Sequence, residues 1–153
     1  MTRTQKELHR IIYDLRPSLL DDLGLPAAIE WYAANYLSPR GLEVRVEVEE
    51  SLRLPPEIEI TIFRIYQEII TNILRHSRAE NAWIELYSTR GKVVLTVEDD
   101  GVGFDTEARA GGVGIVGMKE RAAIVQGSIR IDSEPGTGTQ VVVEFPLARD
   151  ALS

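Results

Sequence analysis

Asp99-Asp100-Gly101-Val102-Gly103-Phe104 stands directly after an alternating apolar run, Val93-Val94-Leu95-Thr96-Val97. This order predicts a strand that ends in a turn carrying a carboxylate and two glycines. Asp99 can accept a hydrogen bond from an exocyclic amine such as that of adenine. Gly101 and Gly103 let backbone approach a flat ligand where a side chain would block it. An ordinary Asp-Gly turn has the same composition, so the other segments must decide between the two.

Glu68 and Asn72 are four apart on a predicted helix and share a face, which Arg75 extends by one turn. A carboxylate, an amide and a cation in one row can bind hydrated magnesium and the phosphates it bridges. Magnesium prefers oxygen and keeps several waters, so one amide oxygen can suffice from the protein. A solvated polar face would look the same.

Gly112-Val113-Gly114-Ile115-Val116-Gly117 matches G-x-G-x-x-G, and Asp132 follows about 20 residues on, where a ribose-binding acid would sit. A dinucleotide turn needs a strand feeding straight into it, however, and here polar chain intervenes after Glu98. The better reading is a glycine loop whose amides, with the following helix N-terminus, face phosphates; a flexible glycine-rich loop is the bland alternative. Gly136-Thr137-Gly138-Thr139 precedes a last strand. Thr139 can reach the base beside Asp99 directly or through water, or the segment is simply a tight hairpin. No G-x-x-x-x-G-K-[ST] occurs, so a P-loop is excluded.

These groups need elements to hold them. Thr4 to Leu20 reads as an amphipathic helix with Leu8, Ile11, Ile12, Leu15 and Leu19 on one stripe and Pro17 near its end. Asp21 to Pro26 is a break, and Pro26 opens a second helix whose apolar face is Ile29, Ala33, Tyr36 and Leu37. Leu42, Val44, Val46 and Val48 alternate with charged residues as a half-solvated strand. The longest helix spans about Glu57 to Ser77, with Ile58, Ile62, Ile65, Ile69 and Ile73 as its buried stripe. Strands follow near Ala82–Tyr87 and Lys92–Glu98 around a Thr89-Arg90-Gly91 turn, then a helix from Ile115 to Gln126, then strands at Ile129–Asp132 and Gln140–Phe145. Asp105 to Gly114 reads as a polar, mobile loop. The predicted architecture is α+β: helices on one face of a mixed, mostly antiparallel sheet.

The chain has 153 residues, enough for one domain with a real core. A net charge of -7 argues against a nucleic-acid partner. The lack of cysteine excludes disulfide scaffolds, thiolate zinc sites and cysteine nucleophiles. No apolar run approaches the ~20 residues of a membrane span, so a soluble chain without direct membrane contact is expected.

Together, the segments resemble the ATP-binding catalytic domain of sensor histidine kinases, in the wider ATPase superfamily of DNA gyrase, the MutL mismatch-repair proteins and the ninety-kilodalton heat-shock chaperone. Glu68-Ile-Ile-Thr71-Asn72-Ile-Leu-Arg75-His76 looks like the N box, Asp99 to Phe104 like the G1 box, and Gly112 to Ala122 like the G2 box. Gly136-Thr-Gly138-Thr139 matches the late glycine-threonine motif. Any one box is ambiguous; four in order, across about Leu42 to Pro146, are specific. The resemblance implies ATP and Mg2+ as cofactors. By it, Asn72 would hold magnesium, and Glu68 would act as a base or polarise the attacking nucleophile. Arg75 and His76 would lie beside the phosphates. Asp99 would read the adenine amine with Thr139 nearby, and Gly101 and Gly103 would shape the base pocket. Gly112, Gly114, Ile115, Gly117 and Met118 would form the lid over the phosphates. No separate phenylalanine box is present; Phe104 abuts the G1 box instead.

A finer resemblance is to the subfamily pairing with helix-turn-helix response regulators. Asp14-Leu15-Arg16-Pro17-Ser-Leu-Leu-Asp21-Asp22-Leu23-Gly24-Leu25 looks like the end of the second dimerisation helix and its junction. Residues 1–24 are then expected to be what is left of the dimerisation and phosphotransfer domain, and 25–148 the catalytic domain. The acceptor histidine would lie on a first helix absent from this chain. His9 is followed by Arg10 where an acid should stand, so the chain alone is expected not to autophosphorylate. The parent would be a cytoplasmic homodimer, or the cytoplasmic part of a membrane sensor, working on a response regulator; the chain itself is compatible with a monomer. A clamp ATPase of the gyrase or mismatch-repair type and a non-enzymatic nucleotide-binding regulator are the competing readings.

Overall fold

The computed structural model describes residues 18–104 and 113–147. The expectations for the helix stripe before Pro17, for His9, for Gly112 and for most of the polar loop fall outside them.

Isoleucines at helical spacing build the centre. Ile58, Ile62, Ile65, Ile69 and Ile73 are all buried, as their spacing predicts. They run along α3 (Pro56–Asn72), the longest helix, which starts at the Pro55-Pro56 pair. The helix continues as one π-helical turn, Ile73–Ser77, and ends with Arg78 in the left-handed region at φ 52°. Before it come α1 (Ser18–Leu23), α2 (Leu25–Tyr36) and β1 (Glu43–Val48). After it come β2 (Asn81–Thr89), β3 (Lys92–Asp99), α4 (Val113–Ile124), β4 (Ser128–Glu134) and β5 (Gly138–Pro146).

The five strands form one sheet in the order β1-β2-β3-β5-β4. β1 and β2 are parallel, joined across α3, and every other pair is antiparallel. The β2–β3 turn is the two residues Arg90-Gly91, both at positive φ, which matches the twist of a tight hairpin. The sheet is mixed and open, with its helices on one face.

That covered face is built of rungs across the strands. Ile84, Val97, Val141 and Ile131 form one rung, and Leu86, Leu95, Val143 and Ile129 the next. All pack into one core with the isoleucines of α3 and with Met118 and Ala122 of α4. Leu20 of α1 joins the same core. The opposite face exposes Trp83, Glu85 and Tyr87, following the period of two, and Val94, set between Tyr87 and Glu144, is its buried exception.

Three expectations need correction. The break before α2 is confined to Gly24 at φ 78°, because Asp21, Asp22 and Leu23 are helical. Tyr36 does not face the core: it is 45% exposed and stacks on Tyr32, with ring centroids 4.4 Å apart. Tyr32 in turn meets Phe63 and Tyr66, so the aromatic inward position is one turn earlier. Tyr66 locks the two helices together by donating its hydroxyl hydrogen to the Ile29 carbonyl at 2.9 Å, and burial pushes its pKa upward. Finally, α4 begins at Val113, two residues before the predicted start at Ile115, so Gly114 joins Gly117 within the helix and not in the loop. Glycine costs about 1 kcal/mol in a helix; burial of Met118 and Ala122 one turn further on supplies the compensating packing.

Candidate functional site

The apolar rungs of the covered face stop at one end of the sheet. The last rung there is Ala82, Asp99, Thr139 and Ser133, aligned across β2, β3, β5 and β4. A carboxylate and two hydroxyls thus sit at the edge of an otherwise apolar face. This is how adjacent register brings together Asp99 and Thr139, which are forty residues apart.

Asp99 is buried, and its Oδ1 accepts the Gly101 amide hydrogen at 2.8 Å. Oδ2 has no partner among the described residues, and no unpartnered polar side-chain atom among them is sealed from solvent. One oxygen is therefore held and the other is available to a donor from outside. Burial raises the Asp99 pKa; the Gly101 amide opposes this, and the Asp100 and Glu98 charges add to it.

Asp100 does the opposite. It is exposed, and its Oδ1 accepts the amides of Glu80 and Asn81 at 2.9 and 2.8 Å, while Oδ2 accepts from the Asn81 side chain at 2.8 Å. These bonds hold its pKa below the usual carboxylate value. Asp100 clamps the end of β3 to the start of β2, a role the sequence reading did not assign.

The glycines after it make room for protein backbone. A Cβ on Gly101 would run into the Ser77 carbonyl, whose oxygen accepts the Val102 amide at 2.6 Å. Gly103 has φ +66°, and a Cβ there would meet the Glu134 carbonyl. The Gly136 amide closes the bundle by donating to the Val102 carbonyl at 2.6 Å. Residues 99–104 are thus pinned between the π-helical turn and the β4–β5 hairpin. Ser77, buried at the end of that turn, donates its hydroxyl hydrogen to the Ile73 carbonyl and accepts the Ala79 amide. It couples the helix of Glu68 and Asn72 to the Asp99 loop. A serine two residues past the row, where the helix must stop, was the only available signal.

On α3, Glu68 and Asn72 are half-buried, and neither side chain has a polar partner among the described residues. Arg75 and His76 are exposed on the π-helical turn. Such turns change the phase of a helix and are frequent at functional sites. Among the described residues, no group of three or more histidines, cysteines or carboxylates is placed to hold a metal. Magnesium would fit Asn72 as an oxygen donor, its remaining ligands being water and phosphate. Helix α4 begins at Val113, and the first amides of a helix have no partner within it. Ile115 is half-buried there and Met118 is 3% exposed, part of the core.

A cleft of about 390 Å³ opens at the β4–β5 end, lined among others by Ser133, Glu134, Gly138 and Thr139. Glu98, Gln140 and Asp132, on the sheet face opposite to the last rung, line it as well. It takes in neither Asp99 nor Asn72.

The family described as histidine kinase-, DNA gyrase B- and HSP90-like ATPase matches residues 57–149. The signal transduction histidine-protein kinase/phosphatase DegS of Brevibacillus brevis is 34% identical over 146 residues, covering 94% of this chain and 38% of the relative. The oxygen sensor histidine kinase NreB of Staphylococcus carnosus is 34% identical over 150 residues, covering 96% of this chain and 43% of the relative. The chain therefore spans less than half the length of these curated relatives. Among solved structures, the Erythrobacter litoralis EL346 blue-light activated histidine kinase shares the fold at a TM-score of 0.77 and 21% identity, covering 98% of this chain and 51% of that one. No helix among the described residues is long and apolar enough to cross a membrane. With the Asp99 loop, the turn that ends α3 and the β4–β5 hairpin joined at one end of this sheet and a family match over residues 57–149, the chain belongs to the histidine kinase-, DNA gyrase B- and HSP90-like ATPases, a family of nucleotide-binding domains.

Proposed function

We propose that this chain binds Mg-ATP and presents the γ-phosphoryl group to a histidine on dimerisation and phosphotransfer helices, as the catalytic part of a two-component histidine kinase. The observation that carries this reading is the held-and-open carboxylate of Asp99 in the last rung beside Thr139. A buried acceptor with one free oxygen at a sheet end suits an exocyclic amine. The relatives named as sensor histidine kinases, aligned over nearly all of this chain, supply the class of reaction.

In this reading Asp99 orients the base, with Thr139 adjoining. Asn72 holds magnesium and Glu68 draws the proton from the attacking imidazole or polarises it. Arg75 and His76 face the phosphates from the end of the same helix, and the first amides of α4, from Gly114 to Gly117, face them from the other side. Magnesium, when bound, neutralises phosphate charge. Phosphoryl transfer needs positioning and charge neutralisation more than covalent work from the protein. Residues 25–148 form the catalytic domain and 1–24 the end of a dimerisation helix; the partners are a second copy of the parent kinase and its response regulator, in the cytoplasm.

The test is calorimetric titration with ATP, with and without magnesium, on wild type, Asp99→Asn and Asn72→Ala. Binding weakened in the first variant, and magnesium dependence lost in the second, are expected. Wild type that binds no nucleotide overturns the proposal.

A further inference from the structure

The hydroxyl of Ser133 has three polar neighbours. It lies 2.9 Å from the Phe104 amide nitrogen, 3.0 Å from the Gly138 carbonyl oxygen and 2.8 Å from the Thr139 hydroxyl. A serine hydroxyl carries one proton and two lone pairs. The Phe104 amide can only donate, so it takes one lone pair. The Gly138 carbonyl can only accept, so it takes the proton. The remaining lone pair leaves Thr139 a single role, which is to donate its proton to Ser133. All three capacities of Ser133 are then used.

Thr139 consequently has no proton left for a ligand. It offers lone pairs only, in the same rung as Asp99, whose carboxylate is also an acceptor. Two acceptors side by side suit a ligand edge that presents hydrogens, directly or through one water.

We propose that Ser133 is a positioning residue for the nucleotide base, holding Thr139 as an acceptor and so making the site depend on the 6-amino group. This rests on the nucleotide reading above and extends it to a residue that lies outside the sequence motifs. Without the Ser133 hydroxyl, the Thr139 proton is free to turn toward the ligand, and the demand for an amine weakens. A threonine at 133 keeps the hydroxyl and suits a strand.

The experiment is titration of the intact chain with two probes, ADP and purine riboside 5'-diphosphate, which lacks only the 6-amino group. Wild type should prefer ADP. Ser133→Ala should lose about three- to tenfold in ADP affinity, the worth of one neutral hydrogen bond, while analogue affinity stays level. Ser133→Thr should restore the preference. Equal loss for both probes in Ser133→Ala would mark Ser133 as structural only, and would overturn the proposal, as would unchanged ADP binding or failure of threonine to rescue. Asp99→Asn is the companion control. If wild type binds neither probe, the nucleotide reading itself falls; if Asp99→Asn loses the amine preference and Ser133→Ala does not, only this inference falls.

Discussion

At the end of β3 two adjacent carboxylates hold three backbone amides, whereas on α3 Glu68 and Asn72 hold nothing within the described protein. The first region is tied to its surroundings on every side, by Ser77, by Asn81, by the β4–β5 hairpin and by the Ser133 hydroxyl. The second keeps its polar groups unengaged on a helix whose position is set by the isoleucines, Phe63 and Tyr66 behind them. The contrast fits what each would recognise under the proposed function. A flat base with fixed donors is read by groups locked in place, because a misplaced acceptor loses its bond. Phosphates with magnesium and water are met by oxygens that have no competing protein partner.

If this contrast is right, substitutions at the base end should act on the fold as well as on binding, and those on α3 should leave the fold's stability unchanged. The largest effect belongs to Gly103→Ala. It needs a left-handed φ and puts a Cβ against the Glu134 carbonyl, so a loss of about 3 kcal/mol in unfolding free energy is expected, measured by urea denaturation. A near-neutral result would show that the 99–104 loop is not pinned.

Asp99→Asn follows. Nucleotide affinity should fall by about 1–3 kcal/mol with loss of a charge-assisted bond. Folding stability should hold or rise, since burial raises the wild-type pKa and the ionised form is the costly one. The raised pKa fixes the sign: the wild type loses stability as pH climbs from 3.8 through the folded value, so the gap in favour of the variant opens over that window and stays open above it. Melting temperatures across acid to neutral pH check this.

Asp100→Asn should cost about 1 kcal/mol of stability, from weaker bonds to the Glu80 and Asn81 amides. Its pKa is lowered, so the charge stabilises the fold above pH 3.8, and that benefit fades as pH falls toward the folded value. The two neighbouring variants should therefore respond to pH in opposite directions.

The smallest change in stability is expected on α3. Glu68→Ala and Asn72→Ala should remain within about 0.5 kcal/mol of wild type in denaturation, while Asn72→Ala loses the magnesium dependence of ATP binding and Glu68→Ala spares binding. A large loss of stability in either would mean that the row is structural, and the two ends are not built differently.

Local pattern alone carried much of this molecule. The isoleucine repeat of α3 and the alternations in β1 to β3 report burial directly, because helix and strand periods differ and only one face of each is covered. Asp99 and the three glycine-rich segments were legible because a strand-ending acid beside glycines is a local chemical statement. What pattern could not supply was every fact that depends on a partner distant in sequence. Whether Tyr32 or Tyr36 turns inward depends on Phe63 and Tyr66, and the extent of α4 on its packing against α3. That Asp100 clamps β2, that Gly101 and Gly103 yield space to Ser77 and Glu134, and that Ser133 meets Thr139 all depend on strand register. Register is a property of paired chains, so only the folded sheet decided which of these polar groups serve the fold and which are left facing a ligand.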